Sequence, residues 1–174
     1  LTAMDRNPEP AMGRKGELAW IGMEGVPAVT VGDASAVAAH LDRGAVFHSL
    51  ELLGAGEAVM DIAVDYAGQR EQFGQPIGAF QAVKHRCADM LVDVEGMRST
   101  AYHAAWSIGA GDADASVAAA VAKIWCSDAG LRVAESALQV HGGIGFTWAS
   151  DVHLYLKRIQ LDQVSFGDAE YHRT

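Results

Sequence analysis

The chain has 174 residues, half of them apolar, with 22 acidic side chains against 13 basic ones and a net charge of −9. That length lets a single globular domain bury a core. The acidic balance, with no Lys/Arg run, argues against nucleic acid, and no window nears the roughly 18 apolar residues that span a membrane.

Residues 1–16, rich in Pro, Asn, Gly and charge, read as loop. Residues 17–31 mix β-branched and aromatic side chains with Gly25 and Pro27, which fits two short strands joined by a turn. An isolated hairpin is marginal in water, so the strands are expected to belong to a sheet with further strands upstream. The missing initial Met points the same way, to a piece of a longer chain.

From Gly32 the apolar period changes to that of a helix. Asp33 and Ser35 are candidate N-caps, and Val37, Leu41, Val46, Leu52, Leu53, Val59, Ile62 and Tyr66 suit one long helix ending near Gly68. A second helix is expected after Pro76, with Phe80, Val83, Cys87, Met90, Leu91, Val94, Met97, Ala101, Ala104 and Ile108 as its stripe. It would run about 45 Å at about 1.5 Å per residue. Gly109 to Asp114 closes it and supplies the next cap. The third helix is read over 116–140, with Val117, Val121, Ile124, Leu131, Ala134 and Leu138 on one face, ended by Gly142 and Gly143. A fourth is read over 150–164. The pattern predicts an all-α fold, an antiparallel four-helix bundle over 33–174 preceded by a β-domain remnant over 1–32.

Two stretches carry chemistry. In the first, Arg70 at a helix end offers a fork of donors suited to phosphate, Phe73 sits in a loop where it could stack on a planar ligand or plug the core, and Gln81 can donate and accept. In the second, Gly142, Gly143 and Gly145 let the backbone approach a ligand, although a glycine is also an ordinary helix C-cap. The glycines follow a helix, so they are not a Rossmann phosphate loop. Taken one at a time, each of these residues is better explained by structure than by function.

In this order the two stretches, Arg70-x-x-Phe73-Gly74-x-Pro76-Ile77-x-x-Phe80-Gln81 and Gln139-Val140-His141-Gly142-Gly143-Ile144-Gly145-Phe146, strongly resemble the acyl-CoA dehydrogenase family. The resemblance covers essentially the whole chain. It also resembles the subgroup of actinobacterial members that degrade steroid and cholesterol side chains. Members have an N-terminal helical domain, a central β-domain and a C-terminal four-helix bundle; this chain would hold the end of the second and all of the third. The resemblance implies FAD as cofactor. By matched position, Arg70 would grip its pyrophosphate, and Gln72, Phe73, Ile77, Phe80 and Gln81 would line the adenosine end. Gln139, Gly142 and Gly143 would approach from another subunit. It further implies an acyl-CoA substrate oxidised between its α and β carbons, an electron-transfer flavoprotein as acceptor, and a homo- or hetero-tetramer.

No catalytic residue is identified. One family position for the proton-abstracting glutamate falls on Phe166, and the other, counted back without gaps from Arg70, on Gly44. The chain is read first as a non-catalytic subunit of a mixed oligomer; the rival readings are a substitute acid, Glu51 or Asp168, or a gap near Gly44. The fragment alone is expected to be inactive.

No metal site is expected. His48 and Glu51, and His85 and Asp89, have helical spacing, but the di-iron bundle pattern is missing and local hydrogen bonds explain them better. Asp89 and Asp93 read as a wet helix face. Trp20, Trp106, Trp125 and Trp148 read as core or interface anchors. Cys87 and Cys126 lack zinc spacing and read as reduced thiols in a cytoplasmic protein.

Overall fold

The computed structural model describes residues 5–9 and 18–174. Strand β1 (Asp5–Glu9) pairs antiparallel with β2 (Leu18–Gly22), from Asp5 opposite Gly22 to Glu9 opposite Leu18. The loop expected over 1–16 therefore holds a strand at 5–9, while residues 1–4 and 10–16 of that reading lie outside the described residues. The second strand expected before Val31 does not form; residues 26–31 are irregular, and Pro27 has no N–H to give to a ladder.

Four helices follow: α1 (Ala34–Gln69), α2 (Gln81–Ala110), α3 (Ala115–His141) and α4 (Val152–Val164). Asp33 starts α1 as expected, its Oδ1 accepting from the backbone N–H of Ser35 at 3.0 Å and of Ala36 at 3.1 Å. Asp114 stands at the N-cap of α3, but its side chain makes no capping bond. No helix among the described residues is long and apolar enough to cross a membrane.

The core joins Leu52, Val59 and Ala63 of α1, Met90, Val94 and Met97 of α2, Cys126, Ala129 and Val133 of α3, and Val152 and Ile159 of α4. The face of α3 differs from the one the larger side chains indicated. Val117 and Val121 point outward, 63% and 48% exposed. Ala118, Ala119, Ala122, Ala129 and Ala137 are buried instead. The helix packs against all three others, and small side chains are what let backbones approach that closely. Val37 and Leu91, read as core, are also exposed. Cys126 is buried, its Sγ near the Met97 carbonyl, and burial pushes the thiol up to about 11. Both thiols are free.

Between α1 and α2 the chain makes a tight hairpin, β3 (Glu71–Gln72) on β4 (Gln75–Pro76), then a 3-10 turn over Ile77–Ala79. Phe73 and Gly74 form its tip with φ of 55° and 80°. Two consecutive positive φ values match the right-handed twist of a two-residue hairpin, and an aromatic residue seldom adopts one.

Candidate functional site

The two motif stretches meet at one end of the bundle. Tyr66, Arg70, Gln72 and Ile77 face Val140, His141, Gly143 and Ile144 across a cleft of about 300 Å³. The Tyr66 ring stacks on His141 at 4.4 Å between centroids, tilted by 19°. His141 is fixed from behind, its Nδ1–H donating to the Ala137 carbonyl at 2.8 Å. Arg70 caps α1 with its backbone N–H bonded to Tyr66. Its guanidinium is exposed and takes no hydrogen bond or ion pair among the described residues. A Cβ on Gly142 or Gly143 would meet open space, so the backbone there is bare to an approaching group.

Of the nine residues singled out in the sequence, Arg70, Gln72, Ile77 and Gly143 line this cleft. Gly142, with φ of 60°, makes the turn beside it. Phe73 neither plugs the core nor enters the cleft; it is 92% exposed, edge-on to Phe80 at 6.1 Å. Gln81 and Gln139 are exposed outside it. Sequence reading missed Tyr66 and His141 as lining residues. The signal was available, since His141 lies inside the quoted motif and Tyr66 lies one helical turn before Arg70.

A second cluster lies toward the other end of α1. Gly44 and Phe166, named separately as the empty base positions, are in contact: a Cβ on Gly44 would fall inside the Phe166 ring. Phe166 reaches this place from a left-handed backbone, φ 56°, with His172 Nε2–H donating to its carbonyl at 2.9 Å. Its ring also lies against His48, 5.4 Å between centroids, and edge-on to His40 at 5.7 Å.

Beneath that ring the charges are paired. His48 Nδ1–H donates to Asp162 Oδ1 at 3.0 Å, and Arg158 holds Asp162 Oδ2 through Nε at 2.8 Å and Glu51 Oε1 through Nη2 at 2.6 Å. Asp162 is completely buried. Burial pushes its carboxyl up, against the pull of Arg158. Lys123, also fully buried, donates to the backbone carbonyls of Asp162 at 3.0 Å and Gln163 at 2.8 Å and to Ser127 Oγ at 3.1 Å. It caps the C-terminus of α4, a favoured place for a cation. Burial lowers it to about 8.

His48, Glu51 and Asp162 offer ligand atoms within 4.8 Å of one another. Arg158 already occupies both carboxylates, so a divalent ion there would face a fixed positive charge. Neither substitute acid stands free: Glu51 pairs with Arg158, and Asp168 Oδ1 accepts from the Tyr171 N–H at 2.8 Å. Asp93, read as part of a wet face, holds Arg132 through both oxygens, at 3.0 and 2.6 Å. The four tryptophans are not core, being between 40% and 72% exposed. Trp125 still covers Gly96 so closely that a Cβ there would meet its indole.

Residues 33–174 match the model of the acyl-CoA dehydrogenase C-terminal domain. The chain belongs to the acyl-CoA dehydrogenase family. It is similar to acyl-CoA dehydrogenase IpdE2 of Mycolicibacterium smegmatis, 38% identical over 153 residues, which are 87% of this chain and 45% of that one. Among solved structures, a variant of the steroid ACAD Tcur3481-Tcur3483 superposes with a TM-score of 0.92 at 29% identity, over 99% of this chain and 47% of that one. Butyryl-CoA dehydrogenase from Megasphaera elsdenii gives 0.86 at 28% identity, over 99% of this chain and 47% of that one. The chain spans less than half the length of these relatives, 45% to 47% of the three named.

Proposed function

We propose that this chain is the C-terminal part of a subunit of a flavin-dependent acyl-CoA dehydrogenase, which oxidises an acyl-CoA thioester between its α and β carbons. The observation that carries this reading is the cleft at Arg70. An unpaired guanidinium beside bare glycine backbone suits a dianionic pyrophosphate. Arg70 would hold the pyrophosphate of FAD; Gln72 and Ile77, matched to the adenosine end, and Gly143, matched to an approach from another subunit, line the same cleft of this one chain and would lie beside it, with Gly142 at its edge. Phe73, Phe80, Gln81 and Gln139 would reach the adenosine end from outside the cleft. When bound, FAD accepts hydride. An electron-transfer flavoprotein would take the electrons onward, and the outward Val117, Val121 and Trp106 would pack against other dehydrogenase chains in a tetramer. The two free thiols accord with a cytoplasmic setting.

A second reading has its own support. Gly44 and Phe166 fill each other's space and offer no carboxylate, which suits a partner subunit that lends FAD-binding and packing surfaces while another chain brings the glutamate. Purification of the full-length protein separates the two. Yellow protein that oxidises an acyl-CoA with a dye acceptor supports the first, and co-purification with a second dehydrogenase chain supports the mixed oligomer. Colourless protein that rejects added FAD overturns both.

A further inference from the structure

Residues 165–174 fold back over α1 at Gly44 and are held there by a small set of bonds. The segment leaves α4 at Ser165, whose backbone N–H donates to the Asp162 carbonyl at 3.3 Å. Phe166 and Gly167 follow with φ of 56° and 92°. A left-handed backbone is costly for an aromatic residue and persists only where its surroundings enforce it. Two contacts enforce it here. On one side the Phe166 ring fills the Gly44 notch, between His48 and His40. On the other, His172 Nε2–H donates to the Phe166 carbonyl at 2.9 Å. The Tyr171 ring lies so close over Gly167 that a Cβ there would collide with it. Residues 168–173 make that second contact firm. The Tyr171 N–H donates to Asp168 Oδ1 at 2.8 Å, the His172 N–H to the Asp168 carbonyl at 3.3 Å and the Arg173 N–H to the Glu170 carbonyl at 3.1 Å. Arg173 ties the turn to Asp128 of α3. The closed form also carries a second cost: Glu51 Oε2 lies buried against His48 without a hydrogen bond.

We propose that residues 165–174 are a latched plug with two states. In the closed state the Phe166 ring sits in the Gly44 notch and the His172 bond locks it. In the open state ring and turn leave together about Gly167, Phe166 relaxes to negative φ, and water reaches Glu51 Oε2. The strained backbone and the unpartnered carboxylate oxygen favour opening. The packed ring, the His172 bond and the Arg173 pair oppose it. None of this involves flavin or a thioester, so the plug and the dehydrogenase reading stand or fall separately.

The test is backbone hydrogen exchange of the full-length protein, resolved to single amides. The reporters are the hydrogen-bonded amides of Tyr171, His172 and Arg173, with the slowest amides of α2 and α3 for comparison. In wild type the three share one protection factor, above that of a free peptide and about 10-fold or more below the slowest amides. H172A lowers it by about 5-fold, the scale of one hydrogen bond. G44A lowers it by about 10-fold, because the new methyl collides with the ring, although the atoms nearest that position all belong to Phe166. F166A, which removes the ring and adds no collision, lowers it by a similar factor. Wild-type protection of the three amides in both G44A and F166A overturns the proposal, since ring and turn then move independently. Wild-type amides as fast as a free peptide overturn it because no latch exists. Wild-type amides as slow as the slowest of α2 and α3 overturn it because the segment has no opening of its own.

Discussion

The two ends of α1 are built on opposite plans. At its C-terminal end the backbone is strained and bare: Phe73 is left-handed and 92% exposed, Arg70 is unpaired among the described residues, and Gly74, Gly142 and Gly143 have open space over them. At the other end the buried charges are paired: Asp162 and Glu51 with Arg158, and Lys123 with the carbonyls that end α4. Asp162 and Lys123 are wholly buried, and Phe166 fills the only room Gly44 leaves. Some 39 Å of helix, at about 1.5 Å per residue over the span from Gly44 to Arg70, keeps them apart. The open end leaves the Arg70 guanidinium and the backbone at Gly142 and Gly143 uncovered among the described residues. The closed end stabilises the bundle.

Substitutions can break that comparison. The largest effect is expected for Lys123→Ala. It leaves two α4 carbonyls and Ser127 without a donor and opens a cavity, so urea denaturation should show a loss of about 3–5 kcal/mol. A loss below about 1 kcal/mol would show that water takes over these bonds and that the closed end is looser than described.

Lys123 also gives that end a pH signature. Its folded value, about 8, lies below the ordinary 10.5. Below about 8 both states hold the proton, and the fold bears the cost of a buried cation. Between about 8 and 10.5 the unfolded chain keeps a proton that the fold has released, so stability rises with pH, by at most about 3 kcal/mol. Lys123→Met should lack this rise in a pH series of denaturation midpoints.

Gly44→Ala should cost about 1–3 kcal/mol, because the new methyl collides with the Phe166 ring. Adding Phe166→Ala should return part of the loss, and a double-mutant cycle measures the coupling. Additive losses would separate the two residues.

Arg70→Ala belongs to the other plan. Stability should change by less than about 0.5 kcal/mol, as for an unpaired surface side chain. In the full-length protein, affinity for FAD should fall about 10- to 100-fold by titration of flavin fluorescence. A large stability loss with unchanged flavin binding would reverse the assignment of this end.

Much of this was legible in the sequence, for reasons that can be located. Asp33, the apolar period and the closing glycines delimit α1, α3 and α4 to within a residue or two, because caps and amphipathic faces are local properties; α2 begins at Gln81, after a 3-10 turn, rather than directly after Pro76. The face of α3 was legible only in part: Ala134 is buried and Leu138 packs against the core, but size also pointed to Val117 and Val121, where the helix buries Ala118, Ala119 and Ala122 and leaves both valines exposed. Lys123 sat unremarked in that alanine run, since only the arrival of α4 gives its ammonium a purpose. Strand β1 escaped because Pro8 and the charges around it read as loop, and pairing with β2 decides otherwise. At the site, Arg70 and the glycines could be named from their motif. The stack of Tyr66 on His141, the exclusion of Gln81 and Gln139 from the cleft, and the meeting of Gly44 with Phe166 are tertiary facts that no local pattern encodes.

Cys126 turns the closed half of the bundle into its own clock. Its sulfur lies in the core between α2 and α3, with a thiol pushed to about 11, so an alkylating reagent near neutral pH can reach a reactive thiolate only when α3 has swung away. Cys87 is half-buried on α2 and less shielded. The ratio of the two labelling rates reports how often the bundle opens relative to how often its surface breathes, with no probe added to the chain.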